Sequence, residues 1–200
     1  MSAVLLVRLR ITDLTAWTAL HTGQRLLPRG HELARLSREQ LYLFEPEEPG
    51  RAAAFEEDLL HAVTESNFFV NPNKEAYRLL RSATRGERWE PPEGAWGVLA
   101  RVREETRDEA LRARLLREHP LRGLGAIRRA RAWWLWTRGP DGDPAVEACY
   151  EALGPVRGRD RGLLVNPHAE AALIVPPGGV SWSGVEAFLT TAAPALAGAA

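Results

Sequence analysis

Two short stretches carry residues of the kinds that do chemistry, in nearly the same order. Asn71, Pro72 and Glu75 lie in FFVNPNKEAYRLL (68–80), and Asn166, Pro167 and Glu170 lie in LLVNPHAEAALIV (163–175). An amide, a carboxylate and, in the second stretch, His168 could move a proton or hold a metal. The first stretch argues against a metal, because Asn73 stands where the second has His168. One histidine without further ligands at useful spacing is a poor metal site. The backbone gives the pair a simpler task. Proline disfavours the α conformation in the residue before it and cannot donate the hydrogen bond that continues a helix. Asparagine tolerates the left-handed conformation that closes many helices, and its amide can satisfy loose backbone groups. Asn-Pro is therefore expected to stop a helix and start a strand, twice.

Other chemistry-bearing residues are isolated. The sequence GVSWSG puts Gly179 and Ser181 in a nucleophile-elbow pattern, but Ser183 replaces the closing glycine and the stretch follows a Pro-Pro-Gly-Gly break. Asp141-Gly142-Asp143 has the start of a calcium loop without its later ligands, so turn chemistry explains it. Cys149 falls on the apolar stripe of an expected helix and reads as core packing. No glycine-rich phosphate cradle is present. The sequence points to no catalytic, cofactor-binding or metal-binding residue, and no cofactor is expected.

Composition narrows the setting. Twenty-six Lys and Arg balance 26 Asp and Glu, so no global field draws in nucleic acid or an anionic membrane. The lone cysteine rules out an internal disulfide, which fits a reducing cytoplasm. No apolar run approaches the roughly 20 residues of a membrane span. The start, MSAVLLVRLRIT, lacks a basic n-region and reads as a first strand rather than a signal peptide. A cytoplasmic location without a membrane partner is expected.

The elements that position the two Asn-Pro pairs are themselves repeated. LLVRLR (5–10) aligns with VLARVR (98–103), LYLFE (41–45) with WWLWT (133–137), and VNP (70–72) with VNP (165–167). Each copy reads as a strand, a helix (Leu14–Gln24; Thr106–His119), a short strand (Leu33–Leu36; Ala126–Arg129) and a second strand (Leu41–Glu45; Trp133–Thr137). A second helix follows, on Phe55, Leu59, Ala62 and Val63 in one copy and on Val146, Cys149, Tyr150 and Leu153 in the other. Asp143-Pro144 marks the start of the latter. A last strand follows each Asn-Pro. The expected fold class is α+β: two tandem ferredoxin-like β-α-β-β-α-β repeats plus a C-terminal helix. The third strands are apolar on both faces, so each copy is expected to cover the other's sheet as a pseudo-dimer. The boundaries are 1–80 for the first repeat, 81–97 for a Pro/Gly-rich linker, 98–176 for the second repeat and 177–200 for the tail. Ser183 and Glu186 are expected to form a capping box at the tail helix.

The repeated ending resembles PurS, the small subunit of phosphoribosylformylglycinamidine synthase. Phe68, Phe69, Asn71, Pro72, Glu75 and Tyr77 match that family's apolar-apolar-x-Asn-Pro pattern with its Glu and aromatic. Leu163, Leu164, Asn166, Pro167 and Glu170 match it again, with Ala172 in place of the aromatic. Val70 and Val165 stand where the family often has Ala. The resemblance implies a non-catalytic adaptor that bridges the synthetase and glutaminase subunits of a glutamine-dependent ligase in purine biosynthesis and assists ammonia transfer. These motif residues are then structural family markers.

Two other readings compete. RNA-recognition domains share the expected fold and stack bases on third-strand aromatics. Residues 101–138 hold eleven Arg against five acids, and RARAWWLW (129–136) is basic, then aromatic. The strand lacks the small glycine of the RNA motif, and Trp on both faces fits burial better, which weighs against nucleic acid. A generic ferredoxin-like dimerisation or regulatory module would share the fold and the lack of catalytic residues.

Overall fold

The computed structural model describes residues 2–81, 86–103, 106–118, 121–139, 163–166 and 168–191. Among them the order is β1 (Ala3–Leu9), α1 (Leu14–Leu26), β2 (Leu33–Pro46), α2 (Ala52–Glu65), β3 (Glu75–Leu80), β4 (Arg88–Trp89), β5 (Trp96–Val102), α3 (Thr106–Glu118), β6 (Leu124–Thr137), β7 (Glu170–Val175), β8 (Val180–Ser181) and α4 (Trp182–Thr190). Strand β1 pairs antiparallel with β2 and β3, β5 with β6 and β7, and β4 with β8. The chain is an α+β protein with a largely antiparallel sheet. The second helix expected around Val146–Leu153, with Asp143-Pro144, Cys149 and the Asp-Gly-Asp turn, lies outside the described residues.

Two strands correct the expected order. Leu33–Leu36 and Leu41–Glu45 belong to one 14-residue strand, β2, and Ala126–Arg129 and Trp133–Thr137 to another, β6. Ser37-Arg38-Glu39-Gln40 and Ala130-Arg131-Ala132 contain no Gly, Pro, Asn or Asp to turn the chain. Polar composition alone does not make a turn, so the backbone runs straight through. Among the described residues each half then shows three long strands where four were expected.

The outer ladders of the halves correspond, and the inner ladder of the second half is one residue off the aligned position, with Val98 facing Trp133. Ala3 faces Phe44 and Val4 faces Leu80 in the first, while Trp96 faces Leu135 and Gly97 faces Val175 in the second. Leu9 opposite Glu75 and Val102 opposite Glu170 end the two outer ladders on the motif glutamates.

Two compact units result, and neither is one half of the sequence. The first gathers Met1–Ile11, Glu39–Gly86 and Glu104–Ala130, and the second Thr12–Arg38, Glu87–Arg103 and Arg131–Ala200. Strand order in the first is β3-β1-β2-β6, from the later part of β2 and the earlier part of β6; in the second it is β2-β6-β5-β7, from the remaining parts. Helix α3 therefore belongs with the first unit and α1 with the second.

Each unit has its own core. In the first, Leu5, Val7 and Phe44 of the sheet meet Phe55, Leu59 and Val63 of α2 and Leu115 of α3. The i, i+4, i+8 spacing on α2 is the stripe the sequence predicts. In the second, Val98, Ala100, Trp133 and Leu135 meet Ala16 of α1, Leu27, Leu164 and Val165. Full burial of one such large apolar chain contributes about 2 kcal/mol.

The second unit also covers the opposite face of its sheet, and its cover is not a repeat. Trp134, which alternates with Trp133, lies 5.2 Å from the Trp89 ring, and Trp89 lies 6.1 Å from Trp182 of α4. Trp182, Val185 and Leu189 bury this side of α4 at i, i+3, i+7. Arg88 clasps the turn before β8, donating to the carbonyls of Gly178 (2.8 Å) and Gly179 (2.5 Å). Gly97 faces Trp134 across the ladder, and a Cβ there would meet the Trp134 ring at 2.7 Å, so only glycine leaves room for it. Here the tail takes the covering role expected of a second copy. No helix among the described residues is long and apolar enough to cross a membrane.

Candidate functional site

Both Asn-Pro-x-x-Glu stretches close into the same turn. In the first, the Asn71 carbonyl accepts from the N–H groups of Lys74 (3.0 Å) and Glu75 (2.8 Å). The Asn71 side-chain oxygen accepts from Asn73 N–H at 3.1 Å, and the Glu75 carboxylate accepts from Asn71 N–H at 2.7 Å. In the second, the Asn166 carbonyl accepts from Ala169 (3.1 Å) and Glu170 (2.7 Å). Its side-chain oxygen accepts from His168 N–H, and the Glu170 carboxylate accepts from Asn166 N–H, both at 3.0 Å. A short amide makes the local turn, and a glutamate has the reach to return to the turn's first N–H. The side-chain groups that looked chemical are used to close the backbone.

The flanking apolar residues anchor each turn. Phe69 and Val70 are buried, as are Leu164 and Val165. Phe69 packs edge-on against Tyr42 (5.4 Å) and Phe44 (5.3 Å). Burial raises the Tyr42 hydroxyl above its ordinary range. Tyr77 is partly exposed, and Pro72 is exposed at the surface. Pro167 lies outside the described residues.

The two glutamates differ in setting. Glu75 is half-buried, whereas Glu170 is 7% exposed and also accepts from the Arg131 guanidinium. Arg103 Nε donates to the Glu170 carbonyl at 3.1 Å. Burial, then the nearby positive charge of Arg38, pulls Arg131 below the usual guanidinium range. The second turn is thus welded into the sheet by charge, and the first is not.

A second duplicated device escapes sequence reading. Asp13 caps α1, accepting from Thr15 and Ala16 N–H, and also holds Arg38 Nε at 3.0 Å. Asp108, in the first turn of α3, holds Arg129 Nε at 2.7 Å. The signal was present: an acid opening the first helix and an Arg in the long strand, in both halves. Each pair ties a first helix to the strand that follows it.

The tail serine has a different role from either expectation. Ser181, not Ser183, is the N-cap of α4, and its Oγ accepts from Gly184 N–H at 3.1 Å while Ser183 donates to it. The extended backbone at Ser181 (φ −63°, ψ 146°) sets the helix start two residues earlier than a Ser183–Glu186 box needs. Glu186 therefore sits in the body of α4. Ser181→Ala should lower the unfolding free energy by about 1 kcal/mol, with Ser183→Ala near neutral, in denaturant titrations. A larger loss at Ser183 would move the cap back.

The aromatic strand is similarly committed. Trp133 and Trp134 are buried, and Trp136 donates its indole N–H to the Glu93 carbonyl (3.0 Å) beneath the Arg35 guanidinium, 4.2 Å above the ring. Among the described residues, no group of three His, Cys, Asp or Glu side chains could hold a metal ion.

What remains open to a partner is the outer face of α1. Ala16, Gly23 and their neighbours Ala19 and Leu20 turn inward, yet Leu14 is 71%, Trp17 54% and Leu26 72% exposed. Trp17 and Leu26, with Thr18, His21, Thr22 and Arg25, line a groove of about 570 Å³. The His21 ring meets Trp17 edge-on at 4.3 Å. A helix apolar on both sides is expected to bury both.

Comparison with known protein families, curated proteins and solved structures finds no match. The fold and site define the class alone: an α+β protein whose duplicated polar motifs close its own backbone.

Proposed function

We propose that the chain is a tandem PurS-like adaptor, a non-catalytic subunit of phosphoribosylformylglycinamidine synthase that bridges the synthetase and glutaminase and assists ammonia transfer. In this reading each compact unit is ferredoxin-like. The four strands and two helices of the first unit follow the split βαβ arrangement, and so do the four strands and α1 of the second, with the first helix and second strand of each contributed by the other half of the sequence. Opening the turn between two short strands into one long strand is how such an exchange arises.

The carrying observation is the Asn-Pro-x-x-Glu turn, closed by the same hydrogen bonds in both halves. Its groups serve the fold, which suits an adaptor, and the exposed α1 face supplies a surface for one. RNA stacking is less well supported, because Trp133 and Trp134 are buried on opposite faces of their strand.

The test is reconstitution. Mixed with the purified synthetase and glutaminase subunits, glutamine and nucleotide, the chain should co-elute and be required for glutamine-dependent amidation. Failure to co-elute with either subunit sinks this function.

A further inference from the structure

We infer that the outer face of α1 docks an amphipathic helix with an acidic rim, supplied by a partner protein. The docking role rests on the adaptor reading; the partner's chemistry rests on α1 itself. Leu14, Trp17, Thr18, His21 and Arg25 repeat at three- and four-residue steps, opposite the Ala16–Leu20–Gly23 side that meets the core. The row from Leu14 to Arg25 runs about 16 Å at 1.5 Å per residue, three turns of a helix laid beside it. Among the described residues the lining comes from α1, whose exposed Trp17 and Leu26 offer an apolar stripe of the kind an amphipathic helix covers.

Charge selects the partner. Helix α1 contains no acidic residue, and Arg25, exposed at its C-terminal end, forms no ion pair among the described residues. The acid preceding it, Asp13, is already held by Arg38. The corresponding helix α3 is the opposite case. It carries acids of its own, with Glu118 paired to Arg114 (2.8 Å) and Arg117 (3.0 Å) and Asp108 held to Arg129 (2.7 Å). Helix α1 thus presents exposed Leu14, Trp17 and Leu26 beside a cation that no described carboxylate answers. A complementary surface supplies apolar side chains to cover Leu14 and Trp17 and carboxylates to answer Arg25. Trp17 is the expected anchor, because large aromatic residues carry a disproportionate share of interface energy.

The test uses the full chain and two fluorescent helical peptides with the same Leu/Phe stripe, one flanked by Glu and the other by Lys. The Glu-flanked peptide should bind at least tenfold more tightly. Trp17→Ser should weaken it tenfold or more without changing the chain's thermal midpoint, because the ring is exposed. Arg25→Glu should abolish the preference, while Arg114→Glu on α3 should leave it intact. Equal binding of the two peptides, or binding indifferent to Trp17→Ser, overturns the inference. So does a wild-type dimer in sedimentation that Trp17→Ser converts to monomer, since the occupant would then be a second copy. The two readings fail separately. If the purine subunits co-elute but the peptides show no preference, the adaptor stands without this face. If the peptide preference and its Trp17 dependence hold while the purine subunits do not co-elute, the docking face stands and the purine partner falls.

Discussion

Trp134→Ala should lower the unfolding free energy by about 4 kcal/mol, the usual range for truncating a buried Trp. The ring is 1% exposed and meets Trp89 edge-on, and Trp89 lies in turn against Trp182 of α4. Removing it leaves a cavity that the Trp89 edge and the glycine at position 97 cannot fill, because Gly97 has no side chain to move inward. For a chain of this size the loss should appear as a drop of roughly 8–16 °C in melting temperature. Trp136→Ala is the matched control, a half-exposed ring held by one hydrogen bond and a cation, with an expected loss of about 1 kcal/mol. The pair separates core from platform. If Trp134 served to stack bases, its removal would spare stability and abolish binding of single-stranded RNA, so a variant that melts like the wild type would refute the core assignment.

The α+β class was legible in the sequence from its alternating strand and helix patterns, and the two outer ladders each end on a motif glutamate. Asn-Pro was legible in part: it turns the chain into β3, but α2 already ends at Glu65 with Ser66 as its C-cap, and no described residue other than glycine has a positive φ. The long strands were not. Ser37–Gln40 is polar enough to suggest a turn, and only the lack of Gly, Pro, Asn or Asp argued for continuity. One continuous strand carries the chain from one compact unit into the other, which decides where each first helix packs. Such a choice is tertiary: α1 and α3 have the same length and place, yet each serves the unit built mainly from the opposite half. The Asp13–Arg38 and Asp108–Arg129 ties were hidden for the same reason, since their partners are 25 and 21 residues apart. The open α1 face was hidden by its own composition, because an apolar residue in a sequence carries no mark of which side it faces.

The same turn, written twice, should respond very unequally to loss of its glutamate. Glu75→Ala removes an acceptor from Asn71 N–H at a half-buried, water-accessible position, and about 1 kcal/mol is expected. Glu170→Ala removes the acceptor from Asn166 N–H and also the counter-charge of Arg131. Arg131 is already drawn below its usual range by burial and by Arg38, so it would be left partly buried beside another cation. Breaking a fully buried pair on one side costs about 3–5 kcal/mol; with Arg131 about a third exposed, about 3 kcal/mol is the expected loss. Glu170→Gln should fall between, since an amide oxygen still serves Asn166 but no longer answers the guanidinium. The difference between the two alanine variants should persist in high salt, because a pair this buried is weakly screened. Equal losses at positions 75 and 170 in denaturant titrations would mean that the turn alone matters, and that the charge cluster around Arg131 contributes nothing to holding β7 in place.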